Sequence, residues 1–291
     1  MSTVEAALKA SRIVLKIGSA LLADEQGRVR ETWLDGLAAD VARLRARGQQ
    51  VVIVTSGAIA LGRRALGMRT RPVRLEEKQA ASAAGQIILA HAYQERLGRV
   101  GLKTAQLLIT LEDTEARRRY LNARATIETL LRLGVVPVVN ENDTVATAEI
   151  RFGDNDRLSA RVAIMASADT LVLLSDVDGL YTSDPRRDPT ASHVPTVEEI
   201  SPAIDAMAEG TGSGVGTGGM RSKLIAAKLA TAAGCAVVLG RGDVATPVAT
   251  LERGGRCTHF LARTSPRRAR KEWIAASLGV MGKVHIDGGA L

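Results

Sequence analysis

Cysteine is almost absent from this chain. Cys235 and Cys257 are its only two, and they have neither CxxC spacing nor a histidine cluster beside them. That argues against a disulfide framework or a structural zinc site and predicts two buried thiols. The four histidines, His91, His193, His259 and His285, are scattered and form no metal pattern. Aromatic residues make up only 2% of the chain, leaving few platforms on which single-stranded nucleic acid could stack. No apolar run approaches the roughly 18 residues of a membrane span. Residues 1–9 lack the apolar core of a signal peptide, so a cytoplasmic protein is expected. The Walker pattern GxxxxGK[ST] does not occur. A GxGxxG string does, at Gly214, Gly216 and Gly219, but residues 201–208 before it read as a short helix. A dinucleotide fingerprint needs a strand in that place.

What is present describes an ordinary globular protein with a large core: 291 residues, 46% hydrophobic and 24% charged. The net charge of +8 could indicate nucleic acid. However, the arginines are spread over helical stretches such as 41–47 and 117–124, as on a solvated basic surface. Thirty-one arginines stand against eight lysines. In so arginine-biased a chain, a lysine beside a phosphate-binding loop suggests that a compact ammonium is wanted there. Lys16 and Lys223 both occupy such places.

Short β-branched runs alternate with amphipathic helices. Strands are expected at 13–17, 51–55, 105–109, 135–139, 170–174 and 236–239. Helices are expected at 31–47, 59–66, 75–97, 119–133, 156–167 and 220–233. Gly134 and Gly234 are expected to stop two of the helices, and Pro137 suggests an edge strand or a bulge. This alternation predicts an α/β three-layer sandwich with a mainly parallel central sheet. Polar residues gather just past the strands: Lys16, Gly18 and Ser19; Thr55, Ser56 and Gly57; Asn140 to Asp143; Ser175 and Asp176. Open parallel sheets bind ligands at such carboxyl ends. Four polar tips imply one site.

The stretch Thr217-Gly218-Gly219-Met220-Arg221-Ser222-Lys223 is a glycine-rich loop running into a helix. Free backbone N–H groups and the positive end of the helix dipole suit a phosphate there. With the acidic segment Phe152-Gly153-Asp154-Asn155-Asp156 upstream, it points to phosphoryl transfer.

These motifs, together with Val14 to Ser19, Val54 to Ile59, Asn140 to Asp143 and Ser175 to Tyr181, resemble the glutamate 5-kinase family, within the amino-acid kinase fold, over residues 12–261. The resemblance implies transfer of the ATP γ-phosphoryl group to the γ-carboxylate of L-glutamate, the first step of proline biosynthesis. It implies that Lys16 and Lys223 stabilise the transferring group and that Asp156 orients them. Asp143 is suited to the substrate ammonium, with Asn140 and Asn155 as neutral partners. Ser56 and Gly57 would take a substrate carboxylate, although Ser56 could instead cap the following helix. Ser175, Asp176 and residues 217–223 would hold ATP, with residues 181–185 lining the nucleotide pocket. Magnesium would travel on the phosphates, and no metal-binding residue is assigned. Feedback by proline and a homodimer or homotetramer are family expectations.

Residues 1–264 are expected to form the kinase domain. Residues 265–291 are read as a basic linker and the start of a PUA-like domain that stops early, which makes RNA binding improbable. The rivals are uridylate kinase, acetylglutamate kinase and, from another class, an RNA-binding regulator. Uridylate kinase would need basic residues for an acceptor phosphate, and acetylglutamate has no ammonium for Asp143.

Overall fold

The structure is a computed structural model that describes residues 3–68, 74–145, 155–208 and 219–262. The loop residues Thr217 and Gly218, the segment 152–154 and everything from residue 263 onward lie outside the described residues.

Five central strands carry the fold: β1 (Arg12–Ile17), β2 (Gln50–Val54), β3 (Thr104–Ile109), β4 (Val136–Glu141) and β5 (Thr170–Ser175). A hairpin of β6 (Leu180–Tyr181) and β7 (His193–Val194) follows, then β8 (Thr196–Val197), β9 (Ala236–Arg241) and β10 (Cys257–Phe260). The main sheet runs in the order β3-β4-β2-β1-β5-β9-β10-β8. Its pairings are parallel except for β9 with β10, which is antiparallel. Alternate residues of each strand serve opposite faces, as a pleated strand buried on both sides requires.

Ile13, Leu15 and Ile17 share one core with Leu34, Leu37 and Val41 of α3 (Glu31–Ala46) and with Leu89 and Tyr93 of α5 (Leu75–Arg99). Val14, Val52 and Leu173 face the other way. They meet Ile127 of α7 (Arg117–Arg132), Leu158 of α8 (Asn155–Met165) and Leu224 of α10 (Met220–Ala232). The result is helices, sheet, helices, as periodicity predicts. The shorter helices are α1 (Thr3–Leu8), α2 (Ser19–Leu22), α4 (Ala58–Ala65), α6 (Leu111–Glu115), α9 (Pro202–Met207) and α11 (Pro247–Glu252). Gly134 and Gly234 end α7 and α10 in left-handed backbone, with φ of 76° and 83°. Both cysteines are buried and free. No helix among the described residues is long and apolar enough to cross a membrane.

Pro137 corrects one expectation. Its strand is not at the edge: β4 pairs with β3 on one side and β2 on the other. The Val136 N–H donates to the Lys103 carbonyl on the β3 side, so the next nitrogen, that of Pro137, faces β2. Pairing with β2 begins only at Val138. The missing donor therefore interrupts no ladder bond, which is what normally keeps proline out of interior strands.

Strand β1 has β2 on one flank and β5 on the other. From β1 the chain adds β2, then β3 at the far edge and β4 between them, and returns to place β5 on the opposite side of β1. This reversal of strand order creates a crevice at the carboxyl ends of β1 and β5, where α/β sheets bind ligands.

Candidate active site

A cavity of about 730 Å3 opens at that crevice. Lys16, Ser56, Gly57, Asn140, Asp143, Asn155, Ser175, Asp176, Gly219, Met220 and Lys223 all line it. The four polar strand tips do converge.

At its floor two lysines share one carboxylate. Lys16 is at the end of β1, Asp156 in the first turn of α8 and Lys223 in the first turn of α10. Lys16 Nζ lies 2.5 Å from Asp156 Oδ1, and Lys223 Nζ lies 3.4 Å from Asp156 Oδ2. Asp156 is 1% exposed and sits beneath the lysines rather than on the cavity wall. Burial is the largest influence on its carboxyl and raises its pKa, but the charges of Lys16 and Lys223 together outweigh it and hold the pKa below the ordinary carboxylate value. The group is ionised at neutral pH. Such a buried set gains little net stability, because desolvation offsets the attraction. Its value is that it fixes two ammonium groups in place.

The second cluster is acidic and amide-rich. The Asn155 side-chain N–H2 donates to the Thr55 carbonyl (2.6 Å), Ser56 Oγ (2.9 Å) and Asn140 Oδ1 (3.0 Å). Asn140 in turn donates to Gln86 Oε1 at 2.7 Å. Asn155 Oδ1 is buried with no hydrogen-bond partner among the described residues, an arrangement that costs stability unless a donor arrives. Asp143 is 6% exposed, and its one hydrogen bond among the described residues comes from Ser82 Oγ at 2.6 Å. Burial raises its pKa and the Ser82 hydroxyl only partly offsets this. A nearly buried carboxylate held by one neutral donor is poised for a cation.

Ser56 does not cap α4. Gly57 takes that position with φ 102° and no side-chain cap bond, and the Ser56 hydroxyl accepts from Asn155 instead. Left-handed backbone at residue 57 favours glycine. On the far side of the cavity, Ser175 Oγ donates to Asp176 Oδ1 at 2.9 Å. Tyr181, Ser183, Asp184 and Pro185 complete that wall. Gly219 caps α10 with extended backbone and no side-chain bond, leaving the first N–H groups of the helix directed at the cavity end. Arg221 is exposed and Ser222 half-buried, and neither lines the cavity.

Sequence reading passed over Ser82 and Gln86. Both lie on α5, four residues apart and on its buried side. The available signal was two polar residues on an otherwise apolar and small-residue stripe.

Residues 11–240 match the Amino acid kinase family. Glutamate 5-kinase from Paramagnetospirillum magneticum is 58% identical over 282 residues, covering 97% of this chain and 76% of that protein. The chain belongs to the glutamate 5-kinase family. Glutamate 5-kinase from Caulobacter vibrioides is similar at 57% identity over 284 residues, with 97% of this chain and 75% of that protein covered. Among solved structures, carbamate kinase from Giardia lamblia bound to AMP-PNP superimposes with a TM-score of 0.61 at 17% identity, covering 87% of this chain and 99% of that one. UMP kinase from Ureaplasma parvum gives 0.59 at 15% identity, with 87% and 99% covered. At such identities these two share the fold of this glutamate 5-kinase family member.

Proposed function

We propose that the cavity is where this member of the glutamate 5-kinase family moves the γ-phosphoryl group of ATP onto the γ-carboxylate of L-glutamate. The observation that carries the reading is the pairing of two unlike clusters in one cavity. Asp143 and the open Asn155 Oδ1 complement an ammonium, and the Lys16–Asp156–Lys223 set complements a transferring phosphoryl group. The γ-carboxylate, with an ordinary pKa of about 4.3, is already ionised at neutral pH. No general base is required. One carboxylate oxygen forms a bond to the γ-phosphorus as the bond from that phosphorus to the β,γ-bridging oxygen breaks, and ADP leaves.

The chain's contribution is therefore positioning and charge. Lys16 and Lys223 stabilise the equatorial oxygens of the transferring group, and Asp156 holds the two ammonium groups at fixed points. Ser56 and the Gly57 backbone N–H receive the γ-carboxylate. Ser175, Asp176 and the start of α10, together with Thr217 and Gly218 outside the described residues, hold the nucleotide. Among the described residues no group of three acidic, histidine or cysteine side chains stands together to hold a metal ion. Magnesium enters as part of the substrate, on the ATP phosphates with its waters, as that ion commonly does.

Feedback by proline and assembly as a homodimer or homotetramer rest on the family resemblance. The deciding experiment is ADP release by the purified chain with ATP alone and with L-glutamate, UMP, N-acetylglutamate or carbamate added. Release that depends on glutamate supports the reading, and release driven by another acceptor overturns it.

A further inference from the structure

Among the described residues five cations line the cavity, and four of them are committed. Lys16 and Lys223 pair with Asp156, Arg63 donates to the Met68 carbonyl, and Arg186 pairs with Asp184. The fifth, Lys78, is half-buried and makes no ion pair or side-chain hydrogen bond among the described residues. It lies in the first turn of α5, four residues before Ser82. Residues at that spacing stand on one face of a helix with their Cβ atoms about 5–6 Å apart. Ser82 is the residue that holds Asp143. An ammonium on a flexible stem thus stands one helical turn from the serine that holds the carboxylate assigned to the substrate ammonium, and Lys78 and Asp143 line the same cavity.

An α-amino acid carries its ammonium and its α-carboxylate on a single carbon. A site that fixes the first with Asp143 brings the second within a few ångströms of it. A carboxylate there suits a cation, and among the described residues that line the cavity Lys78 is the uncommitted one. We propose that Lys78 binds the α-carboxylate of the acceptor and sets the requirement for an α-amino acid, with Asp143 as the matching contact for the ammonium. This rests on the amino-acid reading of the site. It adds a third anchor to Asp143 and the γ-carboxylate subsite, so that only an acceptor bearing all three groups at the right spacing is held for transfer.

The test uses the full chain carrying Lys78→Met, with Lys78→Arg as the conservative variant. Kinetics are measured with L-glutamate and with 4-aminobutyrate, which is glutamate lacking only the α-carboxylate. Losing a charge-assisted bond should raise the glutamate KM about tenfold to a hundredfold. The KM for ATP and the melting curve should stay as in the parent. Activity with 4-aminobutyrate should be equally low in parent and variant, collapsing the selectivity between the two acceptors. Lys78→Arg should recover part of the glutamate affinity. If 4-aminobutyrate turnover is too slow to measure, titration calorimetry with glutamate reads the same loss. A rise in the KM for ATP would place Lys78 on the nucleotide phosphates, and equal losses for both acceptors or no loss would equally overturn the proposal. A parent chain with no glutamate-dependent ADP release would instead overturn the functional reading beneath it.

Discussion

At the scale of single residues, two carboxylates, Asp143 on the cavity wall and Asp156 beneath its lysines, are driven in opposite directions by their neighbours. Burial raises the pKa of both, but Asp156 has two lysines to outweigh it, whereas Asp143 has, among the described residues, only the Ser82 hydroxyl. Asp156 is therefore held as the anion between two ammonium groups. Lys223→Ala removes one of them, and turnover is expected to fall by about two to three orders of magnitude, the scale of losing one donor to a transition state. Steady-state kinetics should show a much smaller change in the KM for ATP.

Asp143 carries a stability consequence as well. A group whose pKa is raised on folding stabilises the fold when protonated, and that contribution is lost as pH rises through the folded value. The charged form is thus a cost to the ligand-free protein at neutral pH. Asp143→Asn should raise the melting temperature at pH 7, with the difference shrinking as pH falls toward the ordinary carboxylate value of 3.8. The same variant should raise the glutamate KM at least tenfold through loss of the charge-assisted bond. A melting difference that grows toward acid pH would contradict the assignment.

At the scale of elements, α5 connects the core to the acceptor cluster. It presents Lys78, Ser82 and Gln86 to the cavity side and packs on α4 through a crossing of two glycines. A Cβ on Gly62 would collide with the Ala81 carbonyl, and one on Gly85 with the Ala58 carbonyl. These are backbone contacts, so no flexible side chain can yield. Gly85→Ala must push the helices apart and carry Ser82 and Gln86 away from Asp143 and Asn140. The expected cost is about 1–3 kcal/mol, the range for overpacking, measured by denaturant unfolding. The glutamate KM should rise more than the ATP KM, since Ser175 and Asp176 belong to other elements.

At the scale of the whole molecule, the site exists because the strand order reverses at β1. Every described residue that lines the cavity precedes or belongs to α10, and the last described strand, β10, ends at Phe260. Deleting residues 268–291 should therefore leave glutamate-dependent turnover within about twofold and stability within the range of a surface change. Paired measurements of turnover and melting temperature would check this. A large fall in melting temperature would show that Trp273, Ile274 or Leu278 packs on the kinase domain and that the boundary near residue 264 is wrong.

The sequence by itself determined the layers and the polar groups that gather at the strand ends. The apolar run 170–174 reads as a strand buried on both faces, and the stripe through Leu34, Leu37, Val41 and Leu44 as a helix packed on one. These are local periodicities, written in consecutive residues. The polar strand tips, Lys16 among them, and Lys223 just past the glycine loop were legible for the same reason, because each sits at a fixed offset from its own strand or loop. What only the tertiary structure decided is pairwise and distant. Pro137 lies inside the sheet because its nitrogen faces a point where β2 has not yet begun to pair. Strand β10 turns antiparallel to β9, which no spacing announces. Asn155 reaches Asn140 and the Thr55 carbonyl across 15 and 100 residues of chain. Ser82 finds Asp143 across 61. Ser56 joins that amide network, rather than capping α4, because Gly57 takes the left-handed cap. Contacts of this kind depend on which helix face meets which strand end, a relation fixed by packing between layers and carried by no single stretch of sequence.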